Sequence, residues 1–480
     1  MSGNLEVTAT LAAFAAGLRY SAIPVDVRDW SRIFLLDFIG VTLGAADFLE
    51  RNGDRRLRRY VEAVAAAGPC TVLGSRVRTT PTTAAFANGT LGEVLDFGDS
   101  NMDVITHNGT PIIPVALALG EQLEAPWSKV ASAIIAGYEV HSRLLAAVQS
   151  GHWYRGFQGH GTFGTCGAAA TAGRLLGFDA QMMKQALGVA GAVMPVSNSD
   201  NVFKAYTVKA CIPGQAASCG ISAAYLAKAG FDGVPLEGEP PRYHAPLTTL
   251  SDGKPILERA LKELGTYWHS RRVAFKPYPV GHLIVGPVEI ILDIMKERAI
   301  AWREVDRVDI STYKHAIFRT GKYSTPQSTY IDAHFSIPYC VAVTLMDGEL
   351  TPRQLWKKRL RDPHVHELAS RVVLTEDPAM SAAYPAKWPA QITLRMRNGE
   401  TILRRVDEVK WSPERHPSFE EIADKFRMCA EPLLGVARTE KAIDIIGSLG
   451  TNDRLTRLLA ITRPVASSRT ARLTRKPSKI

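Results

Sequence analysis

The chain has 480 residues, 46% hydrophobic and 22% charged; this length exceeds what a single growing core accommodates, and the composition excludes a disordered chain. Six cysteines (Cys70, Cys166, Cys211, Cys219, Cys340 and Cys429) form no CxxC pair, which argues against a disulfide framework, a zinc ribbon and an iron–sulfur cluster. The net charge of +10 is a weak argument for a nucleic-acid partner, because Arg463, Arg469, Arg472, Arg475, Lys476 and Lys479 gather in a tail with no acidic residue after Asp453.

The first twenty residues lack the basic start and apolar core of a secretory signal, so an intracellular, cytoplasmic setting is expected. The longest apolar run, Ile33 to Ala46, is interrupted by Asp37 and falls short of the roughly 20 residues that span a bilayer. It reads as a buried helix, and no membrane association is expected.

From Leu11 to about Gly265 the pattern is helical. Ala- and Leu-rich stretches such as RIFLLDFIGVTLGAA, TTAAFANGTLGEVL, IPVALALGEQL and SKVASAIIAGYEVHSRLLAAV are separated by Gly and Pro, and no alternating strand pattern occurs among them. Helices apolar on most faces belong inside a multi-helix bundle. The character changes near Trp268. An extended lead and a helix in VAFKPYPVGHLIVGPVEIILDIMKERAI precede EVDRVDISTY, where Val305, Val308, Ile310 and Thr312 read as a half-buried strand. QITLRMRNGETILRRV then predicts a hairpin turning at Asn398-Gly399. Helices resume after Trp411, the first announced by Ser418 and Glu421 at capping-box spacing. The expected architecture is mainly α: a large discontinuous helical domain (1–266 and 411–462), an inserted α+β lid domain (267–410), and a disordered basic tail (463–480).

Four segments concentrate reactive side chains. LDFGDSNMDVITH places Asp96, Asp99, Asp103 and His107 between two apolar helices; it reads either as cleft chemistry or as helix-capping aspartates with a surface histidine. FQGHGTFGTCGAAATAGRLLGFD sets Gln158 and His160 before a run of small residues that opens a helix. Close helix packing explains the run but not His160. Lys209 and Lys276 each lie in apolar context, where a lysine must pair its charge, lower its pKa or snorkel to the surface. His282, six residues after Lys276, adds a group that can give or take a proton. There is no GxxxxGK[ST], no GxGxxG following a strand, no HExxH and no GxSxG, so nucleotide, zinc-protease and serine-hydrolase chemistry lack support.

These segments together resemble the MmgE/PrpD family over about residues 8–462. The resemblance rests on Asp96, Asp99, Ser100 and His107, on GTFGTCGAAATAGRLLGFD, on Lys209 followed by GQAA, on Lys276 to Pro279 with His282, and on HFSIPYCVAVTLMDGELTP. It implies a homodimer with an active site between the two domains, needing neither metal nor organic cofactor. Asp96, His107, His160, Lys209, Lys276 and His282 would be catalytic. Ser100, Gln158, Lys209 and Lys276 would bind the substrate, with the lysines clamping its carboxylates. The implied activity is a lyase of small di- or tricarboxylic acids, read first as a 2-methylcitrate dehydratase-like hydro-lyase. An iminodisuccinate-like epimerase or isomerase comes next, then a cis-aconitate-type decarboxylase; a non-catalytic organic-acid-binding protein is the alternative from another class. Two positions depart from the family pattern. Gln158 stands where many relatives carry histidine, and Ser100 replaces a threonine with one extra residue before His107. Glutamine cannot transfer a proton.

Overall fold

A computed structural model describes residues 5–149, 151–196, 198–239, 244–321 and 328–464. The basic tail lies outside them from residue 465 onward. The first half is the helical body: α1 (Val7–Gly17), α2 (Val25–Arg51), α3 (Pro81–Val94), α4 (Gly109–Gln122), α5 (Trp127–Val148), α6 (Thr162–Leu176), α7 (Ala180–Val193) and α8 (Cys211–Lys228). Their starts follow local chemistry. Thr80 caps α3 with Pro81 in its first turn, and the Asp179 carboxylate accepts the Met182 amide at the head of α7. α5 and α6 are buried over nearly their whole lengths, as the all-round apolar pattern required.

Two short strand pairs interrupt the helical half, which was expected to contain none. Ala67–Thr71 pairs with Arg78–Thr79, and Ser100–Asn101 pairs antiparallel with Val273–Ala274. Pieces of two to five residues are too short to show a period, so alternation could not reveal them.

The lid is built from α9 (Val285–Glu297), β1 (Val305–Thr312), α10 (Ile337–Asp347), β2 (Val372–Glu376), β3 (Ala390–Met396) and β4 (Thr401–Val406). The sheet order is β2-β1-β3-β4, with β2 parallel to β1 and the other neighbours antiparallel. Val305, Val308, Ile310 and Thr312 of β1 are all buried. The hairpin forms as expected, with Leu394 opposite Ile402 and Gly399 in its turn at φ +89°. β2 went unread because VVLTE is a half-exposed edge with no clean alternation.

The chain returns to the body through α11 (Phe419–Leu434) and α12 (Val436–Gly447). The capping box of Ser418 with Glu421 opens α11. α11 lies hard against α2 because α2 offers glycine there: a Cβ on Gly40 would stand 2.9 Å from Phe426, and one on Gly44 would stand 3.0 Å from Cys429. That contact explains why Asp37 is tolerated in an apolar helix. Lys425 of α11 reaches in and places its Nζ 2.6 Å from Asp37 Oδ1 and 2.6 Å from the Phe97 carbonyl oxygen, over the face of the Phe97 ring. Both charges are buried. Among the described residues no helix is long and apolar enough to cross a membrane.

Lys425→Met strands a buried carboxylate and should lower stability by about 3–5 kcal/mol. Asp37→Leu combined with Lys425→Met should recover a good part of that loss. Guanidinium unfolding followed by circular dichroism compares them; an equal loss in both variants would show that the pairing is not what stabilises the contact.

Candidate active site

α3 ends at Val94, and two residues later Asp96 adopts φ +49°, a left-handed conformation uncommon outside glycine. The turn closes by the Asp96 amide donating to the Glu93 carbonyl at 3.1 Å. Glu93 and Asp96 then bracket one ammonium: Lys209 Nζ lies 2.6 Å from Glu93 Oε1 and 2.6 Å from Asp96 Oδ1. Lys209 sits in a helical turn just before α8, and α8 approaches α3 closely. A Cβ on Gly89 would stand 2.8 Å from the Gly214 backbone.

The second lysine arrives through the small strand pair. Ser100 pairs with Ala274, which sets Lys276 beside the Asp96 turn; its Nζ donates to Asp96 Oδ2 and to the Asp96 carbonyl, both at 2.9 Å. Neither lysine snorkels. Lys209 is 3% exposed and Lys276 1%. The resemblance implied that both clamp substrate carboxylates; in this structure their ammonium groups are held by carboxylates of the chain itself.

Burial opposes ionisation of Asp96, but Lys209 and Lys276 outweigh it and hold the carboxyl well below the usual range. Glu93 is also lowered, with burial again opposed by Lys209. The two lysines part company. Burial works against the charge of Lys209, yet Asp96 and Glu93 raise it overall. For Lys276 burial wins: with Lys209 close by and Asp96 shared, its ammonium is more acidic than an ordinary lysine.

Imidazoles surround this cluster. His107 Nδ1 lies 2.6 Å from the Asp99 carbonyl and 3.2 Å from Ser100 Oγ. A carbonyl only accepts, so Nδ1 carries the proton and Nε2, 3.9 Å from Asp96 Oδ1, holds the lone pair. The His160 ring stands 5.7 Å from that of His107, and its Nε2 has no hydrogen-bond partner among the described residues. Among the described residues the Nε2 of Gln158 is likewise unpartnered, as are both ring nitrogens of His282, which packs edge-on against Trp388. Burial lowers His107, and pushes His160 down to about 4 and His282 to about 3. All three rings are therefore neutral at pH 7.

Glu93, Asp96, Ser100, His107, Gln158, His160, Lys209, Lys276 and His282 line a single cavity of about 120 Å³. The structure thus brings together every residue singled out from the motifs except Asp99 and Asp103. Asp99 is structural: its carboxylate accepts from the Gly109 amide at the start of α4 and from the Tyr138 hydroxyl, which agrees with the capping reading. Asp103 forms a partly exposed pair with Arg272. Larger clefts exist, including one of about 620 Å³ between α2 and α11, but its lining has neither buried lysines nor histidines. The cluster, not volume, makes this cavity the candidate site.

Several residues of the site escaped the motif reading. Glu93 lies one turn before Asp96 within LGEVLD, where it reads as an ordinary helix glutamate. Trp153, Tyr384 and Trp388 form aromatic walls, and Phe335 places its ring 5.4 Å from Lys209 Nζ. His334 belongs to the HFSIPY motif, and both its nitrogens are buried without partners among the described residues; burial pushes it to about 3, and Asp96, Lys209 and Lys276 act on its charge. Glu93, Asp96 and His107 also present ligand atoms within 4.8 Å of one another, a spacing that suits a metal ion. Lys209 already stands between the two carboxylates and fills the place a cation would take.

Comparison with known proteins places the chain in a family. Residues 9–240 match the MmgE/PrpD N-terminal domain and residues 278–450 the MmgE/PrpD C-terminal domain. The chain is 26% identical over 469 residues to cis-aconitate decarboxylase of Homo sapiens, covering 92% of each chain. It is 23% identical over 477 residues to cis-aconitate decarboxylase of Aspergillus terreus (strain NIH 2624 / FGSC A1156), covering 94% of each. A probable 2-methylcitrate dehydratase of Saccharomyces cerevisiae (strain ATCC 204508 / S288c) is 23% identical over 377 residues, covering 74% of this chain and 71% of its own. Both halves of the family pattern are present in order, with the site at their seam, and the chain belongs to the MmgE/PrpD family.

Proposed function

We propose that this chain is a lyase of small tricarboxylic acids that transfers a proton at a carbon beside a carboxylate. The observation that carries the reading is the buried Lys209–Asp96–Lys276 cluster, set against imidazoles that are neutral at pH 7. A proton beside a carboxylate is weakly acidic. Removing it needs a positioned base and cations near the oxygens on which charge accumulates. The free Nε2 of His107 supplies the base, and the readily ionised ammonium of Lys276 supplies both cation and acid. His160, His282 and Gln158 turn unpartnered nitrogens toward the substrate.

Dehydration and decarboxylation use the same parts in different order. In dehydration the base takes the α-proton, the electron pair forms the double bond, and the β-hydroxyl leaves as water with a proton from the acid. In decarboxylation the bond to a carboxylate breaks, carbon dioxide departs, and the electron pair left on carbon accepts the acid's proton. Relatives that align over more than nine tenths of the chain, the human and Aspergillus terreus proteins among them, are named as cis-aconitate decarboxylases, which supports decarboxylation ahead of the dehydration read first from the motifs. Dehydration remains the second reading, supported by the yeast relative and by the abundance of neutral bases in the site.

Proton NMR in deuterated water with cis-aconitate, citrate and 2-methylcitrate in separate tubes separates the outcomes. Loss of carbon dioxide or of water supports the lyase reading and names the bond broken. Deuterium exchange without bond cleavage would instead mean an epimerase, and silence from all three would overturn the proposal.

His107→Ala should lower kcat by roughly 10²–10⁴-fold; a wild-type rate would remove His107 from the mechanism. In the pH profile of kcat/KM, the alkaline limb should begin below the ordinary lysine range as Lys276 loses its proton. Because burial lowers His107, the acid limb should lie below the ordinary imidazole range. An acid limb near the ordinary imidazole value of about 6.5 would point to an unperturbed histidine as the base. Dialysis against EDTA should leave turnover unchanged, since the Lys209 ammonium occupies the cation position.

A further inference from the structure

The buried ion cluster at the inner end of the cavity does not attract a polyanion by net charge. Lys209 and Lys276 are cancelled by Glu93 and Asp96, and the lowered histidines add nothing at neutral pH. The missing attraction lies just outside. An outer cleft of about 680 Å³ shares Trp153, His315, Arg319 and Tyr384 with the inner cavity, so the two are continuous.

The lining of this cleft carries three cations, Arg155, Lys314 and Arg319, against one acid, Asp200, which is already paired with Lys204 at 2.9 Å. Arg155 comes from the body, just after the short helix Gly151–Tyr154. Lys314 and Arg319 come from the lid helix Lys314–Thr320, so the cations face the cleft from both domains. Arg155 and Lys314 are exposed, and among the described residues neither is engaged by a carboxylate. Arg319 sits where the two spaces join, with its guanidinium 5.2 Å from the centre of the Trp153 ring.

We propose that the outer cleft is the entry port of the site, and that Arg155, Lys314 and Arg319 are specificity-determining residues that capture a polycarboxylate and hand it past Trp153 and Tyr384 to the Lys276 end of the cavity. The substrate's charge is taken from the lyase reading above. Fixed charges at the mouth of a low-dielectric passage raise encounter rates by 10–10³-fold, and the effect is screened over roughly 8–10 Å at moderate salt. The cations at the port select for charge number. The inner cluster, which is neutral overall, is left to select for shape.

Stopped-flow tryptophan fluorescence tests this with cis-aconitate and citrate as probes, since Trp153 and Trp388 line the route. The wild-type association rate should fall steeply between 20 and 500 mM NaCl, conditions that span roughly a fivefold change in screening length. Arg155→Glu with Lys314→Glu should slow association by about tenfold or more at low salt, with the difference vanishing at high salt, and should act on kcat/KM far more than on kcat. Lys296→Glu with Lys441→Glu changes net charge equally on helices outside both linings, and should have at most a small effect. If both probes bind but association is insensitive to salt and to the port variants, the port is overturned and the lyase reading stands. If neither probe binds the wild-type protein, the lyase reading fails and takes the port with it.

Discussion

One carboxylate shared by two buried ammonium groups is the constraint on which the rest of this structure depends. Asp96 lies between Lys209 and Lys276, 113 and 180 residues away in sequence, and none of the three charges is stable in the interior without the others. Glu93 completes the balance by bracketing Lys209 from the other side. The result is a cluster with no net charge but strong local fields. Such a cluster can be buried, and it can still polarise whatever lies against it.

Much of the surrounding architecture holds this cluster in register. α3 and α8 cross where two glycines meet, which fixes Glu93 and Lys209 relative to each other. The Ser100–Ala274 pairing, only two residues long, ties the lid's entry strand to the Asp96 turn and so delivers Lys276. From the far end of the chain, Lys425 grips the carbonyl of Phe97, next to the residue whose left-handed backbone aims the carboxylate. The lid's apolar core extends without a break onto Val41, Ala45 and Phe48 of α2 and onto Leu95 and Phe97. Body and lid therefore meet at the site with apolar packing on one side and ion pairs on the other.

The chemistry that results is general to proton transfer and not committed to one bond. Neutral imidazoles can act as bases and an acidified ammonium as an acid; dehydration would use both and decarboxylation the acid. Gln158 offers hydrogen bonds but cannot transfer a proton, and the imidazoles nearby are those of His160 and His107, whose rings stand 5.7 Å apart. Because the Asp96 cluster is electrically balanced, the proposed selection for anionic substrates rests on the cations of the outer cleft and on Arg319 where it joins the inner cavity.

The sequence alone was enough for those features that depend on local order. Helices with all-round apolar faces, the hairpin at Asn398-Gly399, the Ser418 capping box and the ordered motifs around Asp96, His107, Lys209, Lys276 and His282 were all legible, because each is a pattern within a few residues or a set of motifs in fixed order. The lysines could be recognised as anomalous, since an apolar context leaves an ammonium few options. Only the tertiary structure decided which option each took: Lys209 is held fully charged by two acids, while Lys276 is pushed toward release of its proton. Asp37 makes sense only once α11 has folded back across nearly 400 residues to bring Lys425 to it, and Glu93 looks like any helix glutamate until Lys209 arrives. Pairing between distant charges, and the pKa shifts that follow from burying them together, depend on distances through space, and the order of residues along the chain does not contain them.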